Sequence, residues 1–360
     1  MGEQIKSEEI DIKMGLQSLI SRAKAPLRLG IGGGGTDLSP YCEKHGGAVL
    51  NATVDLYAHC TIEKSSRSSC VIFLATDIGI EETVDISGQS FTGLSLMLHS
   101  AVYLRVMNDF FDEERLPLKV TTSCDAPPGS GLGSSSTLVV SMLTAYKQHF
   151  NLPLGEYDIA KLAYQIERED CGLAGGKQDQ YAATFGGFNF MEFMENQKVI
   201  VNPLRIRREI ISELESWMIL YYTGASRHSA EIINDQIDSV VSNHFNELDA
   251  MHGVKATAYK IKEFLLLGDI EGLANEMAVS WAAKKLTSSS VTNPLIETLE
   301  SKAMMAGATS LKISGAGGGG FMMIFVDPSQ RSSVENMLKE EDGQLVRFAF
   351  THNGGYSWTV

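Results

Sequence analysis

The sequence predicts an α+β fold built from two domains, and three observations support this prediction. The chain has 360 residues, which exceeds the usual size of a single domain. Its 44% hydrophobic and 21% charged residues are typical of a globular protein and exclude a disordered or collagen-like chain. Strand-like and helix-like segments are mixed without regular alternation, which favours α+β over a doubly wound parallel sheet.

The predicted first domain covers residues 1–205. Runs rich in β-branched and aromatic residues indicate strands over residues 22–31, 47–63, 70–75 and 118–123. Longer segments with helical periodicity indicate helices over residues 94–111, 134–150 and 157–169. Two further apolar runs indicate a hairpin over residues 187–193 and 198–201.

The predicted second domain covers residues 206–360, because the composition changes near Pro203, where a basic segment begins. An apolar run over 217–222 predicts a strand, and long helical stretches follow from Ser229 to about Leu286. A helix over residues 294–306 and strands over residues 309–313 and 321–326 come next.

Charge and cysteine usage exclude several classes of protein. With 30 basic and 44 acidic residues the net charge is −14, which argues against nucleic-acid binding. Five cysteines, an odd number without a CxxC pair, indicate free thiols in a reducing compartment. No apolar run approaches the length of a membrane span, and residues 1–20 lack a signal-peptide core. We therefore expect a cytoplasmic protein without a membrane partner, and the sequence leaves a homodimer open.

The first of three glycine-rich turns covers residues 30–37 (GIGGGGTD) and matches the dinucleotide-binding pattern GxGxxG, with Asp55 lying 20 residues after Gly35. That reading requires a helix of several turns beginning at the glycines. Pro40 and the pair Gly46-Gly47 would end such a helix within two turns. The plain alternative is a surface turn, although four consecutive glycines cost backbone entropy.

The second turn, residues 125–136 (DAPPGSGLGSSS), lies between a predicted strand and the helix 134–150. Convergent N–H groups of its glycines and of the helix N-terminus would make an anion site suited to a di- or triphosphate. Helix capping by Ser134 explains one serine but not three glycines. No Gly-Lys-Ser/Thr follows, so the turn is not a Walker A loop. The predicted nucleotide-binding residues are Pro128, Gly129, Ser130, Gly131, Leu132, Gly133, Ser134, Ser135 and Ser136.

The third turn covers residues 312–320 (KISGAGGGG) and lies between two apolar strands. A simple hairpin would need only two turn residues. Nine residues of almost bare backbone therefore suggest close approach to a ligand or to another loop.

The three turns, in this order and at these separations, resemble the GHMP kinases, and the second turn matches that family's ATP loop nearly letter for letter. The resemblance extends from about residue 22 to 326. It implies a first domain with a left-handed β-α-β unit and a ferredoxin-like second domain. It also implies an ATP-dependent phosphotransferase that uses Mg²⁺ and acts on the hydroxyl of a small molecule.

The segment 175–181 (GGKQDQY) resembles the part of the sugar kinases in this family that ends in the catalytic aspartate. On that match Asp179 would accept or orient the hydroxyl proton, and Arg28, in the segment APLR, would stabilise its charged form. Without the resemblance, Asp179 would be an ordinary helix N-terminal residue and Arg28 an exposed strand residue.

The Mg²⁺ ligands implied by the resemblance are a carboxylate and serine hydroxyls of the ATP loop. Glu167 is the first candidate for the carboxylate, and Glu169 is the alternative. The spacing from Glu167 to Asp179 is one residue off the mevalonate-kinase pattern. Ser134 or Ser135 would complete the protein's share of the ligands.

For the sugar, Asp37 matches a carboxylate that galactokinases place on sugar hydroxyls, whereas Gly34 and Gly35 replace their Glu-His pair. That departure favours a bulkier or differently decorated sugar. Segments 25–37, 175–181 and 223–229 most resemble kinases that phosphorylate the anomeric hydroxyl of a heptose 7-phosphate for GDP-heptose synthesis. The expected substrate residues are Gly33, Gly34, Gly35, Thr36, Asp37, Gly175, Gly176 and Gly317, with Lys177, Arg227, Lys284 and Lys285 as basic anchors for the substrate phosphate.

Four other hypotheses remain at this point. Another sugar 1-kinase, of the fucose or galactose type, shares the same motifs, and a mevalonate-type kinase is more distant. A non-catalytic sugar and ATP sensor on the same fold is disfavoured, because binding alone does not require both Arg28 and Asp179. The hypothesis of a nicotinamide-dependent enzyme rests on the first glycine-rich turn alone.

Overall fold

The structure is a computed structural model that describes residues 20–88, 91–224, 229–242 and 244–360. Its strands are β1 Ser21–Gly32, β2 Gly47–Lys64, β3 Cys70–Ala75, β4 Ile80–Asp85, β5 Leu118–Cys124, β6 Phe188–Phe193, β7 Val199–Pro203, β8 Met218–Tyr222, β9 Ala308–Ile313, β10 Phe321–Val326, β11 Gln344–Val346 and β12 Tyr356–Thr359.

The α-helices are α1 Tyr41–His45, α2 Met97–Phe110, α3 Ser134–Phe150, α4 Glu156–Gln165, α5 Gln178–Phe185, α6 Arg208–Trp217, α7 Ser229–Val241, α8 Phe245–Leu267, α9 Ile270–Lys285, α10 Pro294–Met305 and α11 Arg331–Leu338. A π-helical turn, Ile166–Asp170, continues α4, so the predicted helix 157–169 changes its winding near its end. Two short 3₁₀ turns cover Glu195–Gln197 and Ser289–Val291.

The first sheet is built around β2, whose 18 residues pair with β1 along one side. On the other side its first part pairs with β6 and its second part with β5. The strand order β12-β1-β2-β5-β3-β4 results, with β6 and β7 branching from β2. β3 and β5 run parallel, with α2 between them in sequence, which gives the β-α-β unit that the family resemblance implies.

The second sheet has four antiparallel strands in the order β11-β8-β10-β9. Counted along the chain, this is the order 4-1-3-2. Helices α7 to α10 connect β8 to β9, and α11 connects β10 to β11. This is the ferredoxin-like arrangement expected for the second half of the chain.

The end of the chain returns to the first sheet, where β12 pairs with β1 from Ser21 opposite Thr359 to Lys24 opposite Tyr356. The chain passes from the first sheet to the second between β7 and β8. The domain boundary near residue 205 stays a prediction, and β12 lies in the sheet of the first half.

One apolar cluster joins the two sheets. It contains Leu27 and Leu29 of β1, Met218 of β8, Phe321 of β10 and Ala258 of α8, all buried. Burial of such side chains contributes about 1.5–3 kcal/mol each. The glycine-rich turns at the ends of β1, β5 and β9 are therefore held against one another by a shared core.

In the part of the chain that the structure describes, no helix combines the length and the apolar character needed to cross a membrane.

Candidate active site

A cavity of about 150 Å³ lies where the three glycine-rich turns meet. Of the predicted site residues, those that line it are Arg28, Gly35, Asp37, Gly129, Gly131, Gly133, Ser134, Ser135, Gly175, Gly176, Asp179 and Lys284. The fold thus brings together residues that are spread over more than 250 positions of the sequence.

The second and third turns pack directly on each other. The backbone N–H of Phe321 donates to the carbonyl of Ser130 at 2.9 Å. A Cβ on Gly131 would overlap the carbonyl of Ser314, and a Cβ on Gly320 would overlap that of Ser130. The third turn is therefore glycine-rich because it contacts another loop, one of the two roles expected for it.

Arg28 and Asp179 form an ion pair at the base of the cavity. Nε and Nη2 of Arg28 both lie 2.7 Å from Oδ1 of Asp179. Nη1 donates to the carbonyl of Gly131 and, at 3.3 Å, to Oγ of Ser314. Gly133 leaves the space that Asp179 needs, because a Cβ there would lie 3.1 Å from its Cγ. Strand β1, helix α5 and the second and third turns thus fix one carboxylate.

Asp37 is buried in the wall of the cavity and is held by Gln178, a residue that sequence reasoning missed. The backbone N–H of Gln178 donates to Oδ2 and its Nε2 to Oδ1, both at 3.0 Å. Gly35 N–H donates to Oδ1 at 3.1 Å. A Cβ on Gly176 would overlap this carboxylate, which explains the glycine.

Other parts of the first turn are structural. Oγ1 of Thr36 donates to the carbonyls of Gly33 and Ala48 at 2.8 and 3.0 Å. Gly33 has φ +79° and no room for a Cβ. Neither residue lines the cavity, so their predicted contact with the substrate gains no support from the lining and stays a prediction. They shape the turn that presents Gly35 and Asp37.

Two buried lysines lie beside the first turn. Nζ of Lys284 donates to the carbonyl of Gly34 at 2.9 Å, and Nζ of Lys312 donates to that of Ile31 at 3.3 Å. Burial lowers the pKa of Lys284 to about 8, against an opposing effect of Asp37. Burial and the nearby Lys284 and Arg28 lower the pKa of Lys312 to about 7. Sequence reasoning found Lys284 but gave Lys312 no role.

Three predicted substrate residues lie away from the cavity. Lys285 pairs with Glu300 at 3.1 Å, because successive helical residues point about 100° apart and Lys284 already faces the site. Lys177 is buried, with Nζ 3.8 Å from Sγ of Cys42. A Cβ on Gly317 would meet Val291 rather than a ligand. These three residues do not line the cavity, so their contact with the substrate stays a prediction, and Arg227 lies outside the described residues.

Within the second turn, the residues have divided roles. Leu132 is buried in the core, and its carbonyl accepts from the backbone N–H of Arg28 at 3.1 Å. Ser130 is buried against the third turn, and Oγ of Ser136 accepts from Gln180 at 3.0 Å. These three residues do not line either cavity at the site, and their nucleotide contact stays a prediction.

The two candidate metal carboxylates, Glu167 and Glu169, differ in burial. Glu167 is fully buried on the π-helical turn, and its Oε2 accepts from Nε2 of Gln180 at 2.6 Å. Its Oε1 is buried without a hydrogen-bond partner among the described residues. Glu169 is exposed. This oxygen lies 3.9 Å from Nη1 of Arg168, and Glu167 lines neither cavity. A carboxylate oxygen without a hydrogen bond fits Mg²⁺, which prefers oxygen ligands and keeps several waters.

A second cavity, of about 290 Å³, opens beside the first and shares Gly129, Ser134 and Ser135 with it. The sequence analysis did not identify it. Pro128 lines it as well, and most of the remaining wall is apolar: Ala75, Ile78, Leu96, Met97, Leu98, Ala126, Leu138 and Leu173. An apolar cavity joined to an anion-binding loop suits the base and ribose of a nucleotide.

His99 is one polar group in this second cavity, and it lies 2.7 Å from Oγ1 of Thr122. Burial lowers the pKa of His99 to about 4, so its ring is neutral at physiological pH. It can accept or donate a hydrogen bond without bringing charge to the cavity.

Comparisons with known proteins agree with this geometry. The model for the N-terminal domain of GHMP kinases matches residues 98–187, and that for the C-terminal domain matches residues 261–343. The first range contains the second turn, Glu167 and Asp179; the second contains the third turn.

Similar proteins cover nearly the whole chain. The D-glycero-alpha-D-manno-heptose 7-phosphate kinase of Campylobacter jejuni is 46% identical over 94% of this chain and 99% of its own. The crystal structure of a D-glycero-D-manno-heptose 1-phosphate kinase from Bacteroides thetaiotaomicron aligns with a TM-score of 0.79 and 41% identity, over 94% of this chain and 99% of that one. The Lactococcus lactis galactokinase structure shares the fold, at a TM-score of 0.72 and 15% identity over 98% and 99% of the chains. The chain therefore belongs to the GHMP kinase family.

Proposed function

We propose that the protein transfers the γ-phosphoryl group of ATP to the anomeric hydroxyl of D-glycero-D-manno-heptose 7-phosphate, giving the 1,7-bisphosphate. The observation that carries this proposal is the Arg28–Asp179 pair, fixed between the ATP-type loop and the glycine wall. The 46% identical relative bears the name of this kinase activity.

ATP fits the two connected cavities. GHMP kinases use ATP as the phosphate donor. The apolar cavity accommodates the base, and Gly129, Ser134 and Ser135, which line both cavities, lie along the path of the triphosphate. Ser134 is the first residue of helix α3, whose N-terminus presents free N–H groups and a partial positive charge.

The proton of the attacking hydroxyl goes to Asp179. Arg28 occupies Oδ1, which leaves Oδ2 for the sugar hydroxyl. As the O1–Pγ bond forms, the bond from Pγ to the bridging oxygen of ADP breaks, and the hydroxyl proton passes to the carboxylate. Arg28 supports the charged form of Asp179 beforehand and orients it, which is the positioning that phosphoryl transfer requires.

Magnesium would be held by Glu167 with the hydroxyl of Ser134 or Ser135, and by water. When bound, it neutralises charge on the β- and γ-phosphates. The chain's own contribution is the buried carboxylate of Glu167, which Gln180 holds by a hydrogen bond of 2.6 Å. In the described residues no group of three or more His, Cys, Asp or Glu side chains could hold a metal alone.

The phosphate already on the sugar would be bound by Lys284. This side chain lines the cavity at the first turn, where glycines replace larger residues of the galactokinases. Lys312 and Arg28 add positive charge there, although the whole chain carries −14. Arg227 stays a further candidate for the same phosphate.

The test is coupled ADP release with ATP and Mg²⁺ over a panel of acceptors. The panel contains heptose 7-phosphate, mannose 6-phosphate, galactose, fucose and mevalonate. We expect the highest kcat/KM on the heptose phosphate. Turnover on a neutral sugar alone would refute the sugar-phosphate assignment and leave the kinase fold and Asp179 in place.

A further inference from the structure

Arg168 is a third cation in the lining of the first cavity, after Arg28 and Lys284, and neither the sequence motifs nor the roles above account for it. It lies on the π-helical turn directly after Glu167, and it lines the same cavity as Asp179 and Ser135. Only 13% of its side chain is exposed. A buried guanidinium facing a reaction cavity needs anionic or carbonyl partners.

The hydrogen bonds of Arg168 within the described residues use only some of its N–H donors. Nη1 makes two long hydrogen bonds of 3.3 Å, to the carbonyls of Leu173 and Ala174. The same atom lies 3.9 Å from Oε1 of Glu167. Nε is buried without a partner among the described residues. A buried donor left unpaired is unfavourable, so the guanidinium can take a further acceptor.

Gly175 is the reason that the guanidinium can lie where it does. A Cβ added at Gly175 would overlap Cζ and Nη2 of Arg168 and would lie 2.7 Å from Nη1. The absence of a side chain at residue 175 therefore leaves room for Arg168, and its absence at Gly176 leaves room for Asp37. This separates the roles of two adjacent glycines that the sequence analysis assigned together to the substrate.

Residues 173–176 run from one cavity to the other and show on which side of the first cavity the guanidinium lies. Leu173 lines the apolar cavity proposed for the base, and Gly176 abuts Asp37 in the sugar wall. Arg168 lies against Gly175, between these ends. Lys284 lies beyond Asp37, at the first turn. Arg168 thus lines the first cavity on the side of Leu173, whose carbonyl it contacts, and Lys284 lines it beside the first turn.

We propose that Arg168 is a catalytic residue that contacts oxygens of the γ-phosphoryl group during transfer. The inference rests on the proposed function. As the O1–Pγ bond forms and the Pγ–O bond to ADP breaks, charge on the γ-oxygens and the bridging oxygen is stabilised by the N–H groups of Arg168. The hydroxyl proton still goes to Asp179, and Arg168 keeps its own protons. A planar guanidinium with unused donors suits this role.

The test compares Arg168→Lys and Arg168→Met with the wild type in steady-state kinetics. We expect kcat to fall by about 10²–10³, as for removal of one preorganised donor. KM for ATP and for the sugar phosphate should change less than about threefold, since the contact strengthens only in the transition state. The matched control is Arg105→Met, because Arg105 pairs with Asp170 of the same π turn on the outside at 2.6 Å.

A binding measurement separates catalysis from structure. Wild type should bind ADP with aluminium fluoride and the sugar phosphate far more tightly than ADP alone. The Arg168 variants should lose that gain but keep ADP binding and the melting temperature. Gly175→Ala should show the same loss, since its Cβ displaces the guanidinium without removing the charge.

Three outcomes would overturn the inference. One is an unchanged kcat in both Arg168 variants. Another is a raised KM for the sugar phosphate with kcat intact, which would make Arg168 an anchor for the substrate's own phosphate. The third is retained tight binding of the fluoride complex. Absence of turnover in the wild type on every acceptor would instead refute the proposed function.

Discussion

At the residue scale, the contacts of each side chain in the site determine which function it can have. Asp179 has one oxygen committed to Arg28, and Asp37 has both oxygens held by Gln178. Two aspartates in one cavity therefore differ: Asp179 keeps one oxygen free of Arg28, which suits the proposed proton acceptor, and Asp37 is held in place, which suits the proposed contact with sugar hydroxyls.

Asp179→Asn should remove the proton acceptor while preserving the shape of the site. We expect kcat to fall by about 10²–10⁴, the usual contribution of general base catalysis. ATP should still raise the melting temperature, because ligand binding to the native state is retained. Full turnover in the variant would contradict the role of Asp179, and a sensor would tolerate the change.

The lowered pKa of Lys284 predicts a pH dependence of substrate capture. Its folded-state pKa is about 8, so the free enzyme loses this charge as pH rises through that value. The kcat/KM for the sugar phosphate should therefore fall above about pH 8, while kcat, measured with phosphate bound, changes less. Lys312, Arg28 and Asp37 face the same region, and Lys312, with a pKa of about 7, adds a fall at lower pH.

For this prediction, Lys284→Arg moves the fall in kcat/KM to higher pH, because an arginine stays charged. Lys285→Met is the matched control: it changes the neighbouring residue, which pairs with Glu300, and should leave the profile unchanged. Identical profiles for wild type and Lys284→Arg would contradict the role of Lys284 as the anchor of the substrate phosphate.

The lowered pKa of Lys284 also means that the stability contributed by this group rises with pH between about 8 and the ordinary lysine value.

At the element scale, glycines in the turns allow elements to touch that would otherwise be held apart. Gly131→Ala combines a φ of +84° with overlap of the Ser314 carbonyl. Gly79→Ala is a matched control, because Gly79 has φ +67° but no atom lies within 4 Å of the position that its Cβ would take. We expect a loss of about 1 kcal/mol in urea unfolding for Gly79→Ala and a clearly larger one for Gly131→Ala. Equal losses would show that the two turns do not depend on this contact.

The helices and strands also show which elements could be predicted from the sequence and which could not. Helix α3 and strand β10 begin and end where periodicity predicts them. Helix α6 went unassigned although Ile210, Ile211 and Leu214 form its buried face, because the preceding basic segment suggested a boundary. Lys284 and Lys285 could not be separated until the face of α9 was known, and the π turn that buries Glu167 gives no sequence signal.

At the scale of the whole molecule, the two sheets share a core, and the last strand crosses back to the first. We therefore expect one cooperative calorimetric transition rather than two. Leu29→Ala, at a fully buried position of that core, should cost about 2–5 kcal/mol. Leu267→Ala, at a position that is 77% exposed, should change stability by less than about 0.5 kcal/mol. Two separate transitions in the wild type would contradict a shared core.

The family resemblance rests on several motifs that are far apart in the sequence. No one of these motifs would establish it alone. Gln178 and His99, with the apolar cavity around His99, became visible only when the sheets were assembled. His99 lies in a segment with no distinctive pattern of its own, and within the segment 175–181 sequence reasoning assigned Gln178 no role. The glycine turns, by contrast, were informative because their composition is unusual and their order is specific.

The most direct measurement is ³¹P NMR of the reaction of the wild-type enzyme with ATP, Mg²⁺ and D-glycero-D-manno-heptose 7-phosphate. The account predicts a new anomeric phosphate signal that grows with ADP, beside the unchanged 7-phosphate, and no such signal with Asp179→Asn. A new phosphate at another carbon, or the same signal from the Asp179 variant, would contradict it.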